Sequence, residues 1–227
     1  MEGIAGWVES LPSSWTAGCG EELFAAAHER YASAGRFYHT WDHVLDCTQK
    51  LRDFECVAPR AAFLALLFHD AVYLPGQADN EARSAALATD LLRRHARLAQ
   101  GEIDAVVMMI LATRNHRLGA DQRNSDAAVV LDVDMSILGA PWPRYRQYAD
   151  GVRAEYVPAA ASAPRFAAGR MAFLTGLLAG GPIFSTARGL ERWERPARDN
   201  IAHELEQLRR HAGILPRFMA RILARRF

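Results

Sequence analysis

The stretch LLFHDAVY, residues 66–73, sets the problem: a His-Asp pair, His69 and Asp70, stands in an otherwise apolar run. Residues three and four apart on a helix share a face. His69 then neighbours Ala65, Leu66, Val72 and Tyr73, and Asp70 neighbours Leu66, Leu67, Tyr73 and Leu74. Both point inward. An isolated ionised carboxylate among apolar groups is prohibitively unfavourable, so Asp70 must be neutral, paired with a cation or bound to a metal. The adjacent histidine favours the metal. Neighbouring helix residues lie about 100° apart, close enough for a long imidazole and a short carboxylate to converge on one ion.

The helical periodicity of this stretch extends along the chain, and strand-like alternation is hard to find. The expectation is an all-α fold with helices over 21–34, 40–54, 59–73, 80–96, 101–113, 125–138, 142–156, 164–179 and 196–211, and a short last helix from Pro216 to the end. The connections are mostly short and carry ordinary breakers, and none reads as a domain linker. Residues 1–227 are therefore expected to form one domain, in which the helices from about 142 onward could make a small accessory lobe.

Lys and Arg total 27 against 26 Asp and Glu, and a net charge of +1 gives no broad field for duplex DNA or RNA or for an anionic membrane. Any anion site must be local. Cys19, Cys47 and Cys56 have no CxxC spacing, which argues against a disulfide framework and a thiolate zinc site. The N-terminus lacks a basic, then apolar leader, and no run of eighteen residues is apolar throughout. A cytoplasmic protein is expected. Oligomeric state cannot be read from the sequence.

Further candidate ligands come from RFYHTWDHVLDC, residues 36–47, and LDVDMSILG, residues 131–139. His39 and His43 have i, i+4 spacing; His39 at the helix entrance could stay wet and titratable while His43, one turn deeper, coordinates. In the second segment, Asp134 faces Val130, Leu131, Ile137 and Leu138, whereas Asp132 faces Ala128, Val129, Met135 and Ser136. Asp134 is expected to be the more buried of the two and to be the ligand, with Asp132 at the surface or behind the site. The set His43, His69, Asp70 and Asp134 offers two imidazole nitrogens and two carboxylates, a mix suited to one or two ions of Mn, Fe, Zn, Co, Ni or Mg.

At these residues the chain resembles the HD superfamily of metal-dependent phosphohydrolases, whose H, HD, D pattern is matched by His43, His69-Asp70 and Asp134. The similarity is closer still to one subgroup, HD phosphohydrolases of unknown substrate, through RFYHTWDHV, FHDAVY, DNEARSA, ATRNH, LDVDMSILG and the tail ERPARDNIAHELEQL. The likeness spans roughly residues 30–210 and implies a compact helical bundle around a mono- or dinuclear metal centre. YHTWDHV is also similar to the H-N-x-x-H signature of cyclic-nucleotide phosphodiesterases. That likeness puts His39 in the role of general acid and His43 in that of ligand. Thr40 stands where Asn is usual, so cyclic-nucleotide specificity does not carry over.

The resemblance implies hydrolysis of a phosphate ester, on a nucleotide or another small phosphorylated metabolite, by metal-activated water, with His39 and Asp70 as catalytic residues. Arg36 and Arg114 are the first candidates for holding phosphate, because guanidinium forks match phosphate oxygens. His116 is a further candidate, as a second-ion ligand, a phosphate donor or a solvated C-terminal histidine. Asn80 and Glu81 read as a helix N-cap and a first-turn charge, and Glu81 could also orient a water. Two alternatives remain: a two-iron oxygenase, which needs further histidines such as His95 and His116, and a non-catalytic metal- or nucleotide-binding regulator.

Overall fold

The computed structural model describes residues 2–116, 118, 125–157 and 159–211. The expected helix from Pro216 lies outside them. Among the described residues the chain is an all-α bundle with no strand; its only β-type pairing is an isolated bridge between Cys19 and Ala96. The helices are α1 (Glu2–Glu9), α2 (Ser13–Thr16), α3 (Glu21–Tyr31), α4 (Trp41–Leu51), α5 (Pro59–Phe68), α6 (Asn80–His95), α7 (Gln100–Ala112), α8 (Asp126–Met135), α9 (Trp142–Tyr156), α10 (Ala163–Ala179), α11 (Ala187–Gly189) and α12 (Arg195–His211). A 3-10 turn (Ser136–Gly139) extends α8, and a π-helical turn (Leu190–Glu194) joins α11 to α12.

α5 is the axis of the bundle because its sequence is apolar on every side, and such a helix can only be stable when surrounded. Residues 61–68 are all buried, and α2, α4, α6, α7 and α8 pack around them. Each fully buried Phe or Leu there contributes about 1.5–3 kcal/mol of transfer free energy. Pro59 pre-sets the first turn, and the Asp126 carboxylate accepts from the amides of Val57 (2.9 Å) and Ala58 (2.6 Å) just ahead of it. The C-terminal end of this central helix delivers His69 and Asp70 into the interior.

α5 stops at Phe68, five residues short of the expected end at Tyr73. The cause lies in side chains that satisfy the backbone in place of helical bonds. Arg36 Nη1 donates to the Asp70 carbonyl (2.9 Å) and Nη2 to that of Ala71 (3.1 Å). The Ser84 hydroxyl accepts from the Val72 amide (3.0 Å) and donates to its carbonyl (3.1 Å).

A second apolar cluster gathers Tyr38, Ile137, Leu138, Phe184 and Trp193 with the inner faces of α9, α10 and α12; Phe54 packs against both clusters. On α9 the buried positions are Tyr145, Tyr148, Val152 and Glu155, one stripe at helical spacing. Within this cluster Arg170 donates to both oxygens of Glu204 (2.9 and 3.1 Å) and to the Tyr148 hydroxyl (2.9 Å), so its buried charge is matched.

Candidate metal centre

Three segments meet at the end of α5. His43 projects from α4, whose buried positions His43, Val44, Cys47, Thr48 and Leu51 form its inward stripe. His69 caps α5, Asp70 follows it, and Asp134 lies one residue before the end of α8. His43 Nε2 and His69 Nε2 are 3.1 Å apart, and Asp134 Oδ1 lies 3.2 Å from the first and 3.3 Å from the second. Asp70 Oδ2 is 3.0 Å from His69 Nε2 and 3.8 Å from His43 Nε2.

The protonation of this cluster shows what it lacks. His69 Nδ1 is 2.9 Å from the Leu66 carbonyl, which can only accept, so Nδ1 carries a proton. In neutral His69 the other nitrogen would be a bare lone pair facing His43 Nε2 and two carboxylate oxygens. Burial opposes a charge on His69, but Asp70 and Asp134 outweigh it and push its pKa well above 6.5. Burial likewise opposes ionisation of Asp134, yet His69, His116 and His43 hold its carboxyl well below the usual range. His43 moves the other way, because burial and the neighbouring His69 lower its pKa. The geometry thus assembles acceptors around a point that demands positive charge.

A divalent ion meets that demand. Ligand atoms about 2.1 Å from a shared ion lie roughly 3.0–3.4 Å from one another, and the separations of 3.1, 3.2 and 3.3 Å fall in that range. His43, His69 and Asp134 therefore form a cluster that could hold a metal ion. Asp70 stands at its edge. The Cys47 thiol, 3.8 Å from the His43 ring nitrogens, has its pKa pushed up by burial and stays neutral.

His39 precedes α4 and presents Nε2 to Asp70 Oδ2 at 3.8 Å. Its ring stacks on Tyr73 (centroids 4.0 Å apart) and meets the edge of Tyr38. Its Nδ1 is 2.7 Å from Glu155 Oε2, and Glu155 Oε1 accepts from the amides of Phe37 (2.9 Å), Tyr38 (2.8 Å) and His39 (2.9 Å). The sequence reading missed Glu155. Its signal was its place on the buried α9 stripe, seven residues after Tyr148.

His116 Nε2 lies 3.2 Å from Asp134 Oδ2, the oxygen not shared with His43 and His69. The residue adopts φ 47°, a left-handed conformation unusual for a histidine, at the end of the turn after α7. Arg114, two residues earlier, is exposed. Arg36 is turned away from this role: besides the Asp70 and Ala71 carbonyls it bonds that of His39 (2.8 Å) and Ser33 Oγ (2.9 Å), and it lies over the Tyr31 and Tyr73 rings.

Asn80 is the first residue of α6, where Asp79 takes the N-cap position. Buried, it accepts from the Leu74 amide (3.0 Å) and donates to the Leu74 and Gln77 carbonyls, bracing the loop that follows the His-Asp pair. Glu81 is half-buried in the first turn of α6.

Asp132 departs from expectation. It is 2% exposed, whereas the Asp134 side chain is 12% exposed, so the order of burial is reversed. Its oxygens accept from Ser185 N (2.8 Å), Thr186 N (2.8 Å) and Thr186 Oγ1 (2.6 Å). Both faces of α8 are covered, one by the candidate cluster and the other by the segment leading into α11, so face neighbours alone could not rank the two carboxylates by burial. The tail residues Glu194 and Asn200 also brace the chain: Glu194 accepts from Ile183 N and Phe184 N, and Asn200 donates to the Leu138 and Ala140 carbonyls.

Compared with protein-family models, with curated proteins and with solved structures, the chain matches none. No helix among the described residues is long and apolar enough to cross a membrane.

Proposed function

We propose that the protein is a metal-dependent phosphohydrolase acting on a nucleotide or another small phosphorylated metabolite. The observation that carries this reading is the triangle of His43 Nε2, His69 Nε2 and Asp134 Oδ1 with a third, separately held histidine, His39, beside it. Two nitrogens and one or two carboxylate oxygens suit Mn, Fe, Zn, Co, Ni or Mg, and they leave coordination positions for water and substrate. When bound, such an ion supplies an acidified water, with pKa near 7 instead of 15.7, and a polarised phosphoryl oxygen.

The remaining work falls to side chains. Asp70, between the triangle and His39, accepts a proton from the attacking water and keeps the reacting atoms in register. As the new phosphorus–oxygen bond forms and the ester bond breaks, the proton on His39 Nε2 passes to the leaving oxygen. Arg114 meets the phosphate from the exposed side, and Arg36 serves the scaffold.

Metal-replete protein should hydrolyse an aryl phosphate or a member of a broad nucleotide panel. His39→Ala should lower kcat about 10²–10⁴-fold on substrates with poor leaving groups. Absence of turnover on every substrate, with no effect of His39→Ala, contradicts the proposal; tight nucleotide binding without product would favour a regulatory module.

The placement of His116 on the second oxygen of Asp134 favours a two-ion variant of the centre, and with it the alternative of a two-iron oxygenase. That alternative draws on His116 alone. His95 sits at the end of α6, where its carbonyl accepts from Gly20 N (2.8 Å). Two irons per chain with oxygen uptake would establish it.

A further inference from the structure

Glu155 is fully buried, and its carboxylate gathers four donors from one tripeptide: the amides of Phe37, Tyr38 and His39 on Oε1, and the His39 ring on Oε2. Three consecutive amides converging on one oxygen make an anion nest, here filled by a side chain from a helix 116 positions away in sequence. We infer that Glu155 is a positioning residue, which fixes the ring of His39 with its proton on Nδ1 and so presents Nε2 to the candidate metal centre. This rests on the phosphohydrolase reading only for the use made of that nitrogen.

The argument is one of donors and acceptors. A carboxylate can only accept from the ring, so the nitrogen 2.7 Å away must be the protonated one. Tyr73, stacked on one face of the imidazole, and Tyr38, edge-on, close off other orientations. The free nitrogen, Nε2, is left facing Asp70 Oδ2 at 3.8 Å, on the side of His43 and His69. A neutral His39 without Glu155 would divide itself between two tautomers, only one of which can take up a proton at Nε2 and release it there. The same contact ties α9, and with it the second apolar cluster, to the chemistry at the end of α5.

Glu155→Gln separates this role from a merely structural one. The amide oxygen still accepts from the three backbone amides, but the amide NH₂ now faces Nδ1 as a donor and drives the ring proton to Nε2. In zinc-loaded protein, ¹⁵N spectra of the His39 ring should show the proton on Nδ1 in the wild type and on Nε2 in the variant. Bound zinc per chain and KM should be unchanged. On alkyl phosphates kcat should fall about 10²–10⁴-fold, as when a comparable His–carboxylate contact is inverted, while p-nitrophenyl phosphate, whose leaving group needs little protonation, should lose less than tenfold.

Glu155→Asp should recover part of the loss. In a His39→Ala background Glu155→Gln should cost nothing further. A wild-type ring carrying a proton on Nε2 and none on Nδ1, or equal losses on both substrates in a stably folded variant, would overturn the inference. Should the wild type hydrolyse no phosphate ester, the phosphohydrolase reading fails by itself, and the ¹⁵N spectrum still decides whether Glu155 sets the tautomer. That spectrum needs only wild-type protein, so it also serves if Glu155→Gln does not fold.

Discussion

Asp132 and Asp134 are two residues apart on α8 and serve opposite neighbours, Asp134 the imidazoles of the candidate centre and Asp132 the amides of Ser185 and Thr186. The account predicts a double dissociation. Asp134→Asn should weaken divalent-metal binding, measured by calorimetry, by more than about 100-fold. Asp132→Asn should leave metal affinity unchanged but lower the unfolding free energy by roughly 2–3 kcal/mol, because an amide donor replaces an acceptor facing buried N–H and O–H groups. The three residues of the cluster that could hold an ion were legible in the sequence, since a His or Asp in an apolar face announces a buried partner. Asp134 was picked rightly as the carboxylate of the cluster, but that Asp132 would be the more buried of the two was not legible, because α8 is covered on both sides. Arg36 was misread for a similar reason: a guanidinium near a metal motif suggests phosphate, but here the unwound end of α5 provides carbonyls for it.

At the scale of elements, the 3-10 turn and the π-helical turn pack against each other through Gly139. A Cβ added there would stand 2.7 Å from Trp193 Cβ and 2.9 Å from its Cα and carbonyl oxygen. Gly139→Ala should therefore destabilise the protein by about 1–3 kcal/mol in urea unfolding, through overpacking against backbone that cannot yield. Most helices were readable from 3.6-residue periodicity, with ends within a few residues of those observed. α1, α2 and α11 were not read at all, and the misplaced ends follow from tertiary bonds that periodicity does not contain. α5 ends early because Arg36 and Ser84 take up its backbone groups, and residues 136–139 tighten into a 3-10 turn whose last residue must approach Trp193.

Across the whole molecule, Glu155 ties α9 to residues 37–39 beside the candidate centre and makes that contact sensitive to pH. Burial opposes its ionisation, but the His39 ring and the amides of Tyr38 and His39 hold its pKa down to about 2, from an ordinary 4.5. A group depressed in the folded state contributes stability above its unfolded pKa and loses it as pH falls through the folded value. Glu155 should thus contribute about 3 kcal/mol above pH 4.5, and that contribution should disappear between pH 4.5 and pH 2. Urea midpoints should fall more steeply over that interval for the wild type than for Glu155→Gln. The link was invisible in the sequence because it pairs residues 116 positions apart: the α9 stripe marks Glu155 as buried but does not mark its partner.

The central claim is that three helices carry His43, His69 and Asp134 to a single divalent ion. Its most direct test is a zinc-edge anomalous difference map from crystals grown with zinc in severalfold excess over protein. The account predicts a peak within about 2.2 Å of His43 Nε2, His69 Nε2 and Asp134 Oδ1. A map without density at that point, or with the two imidazoles binding zinc separately, would contradict it.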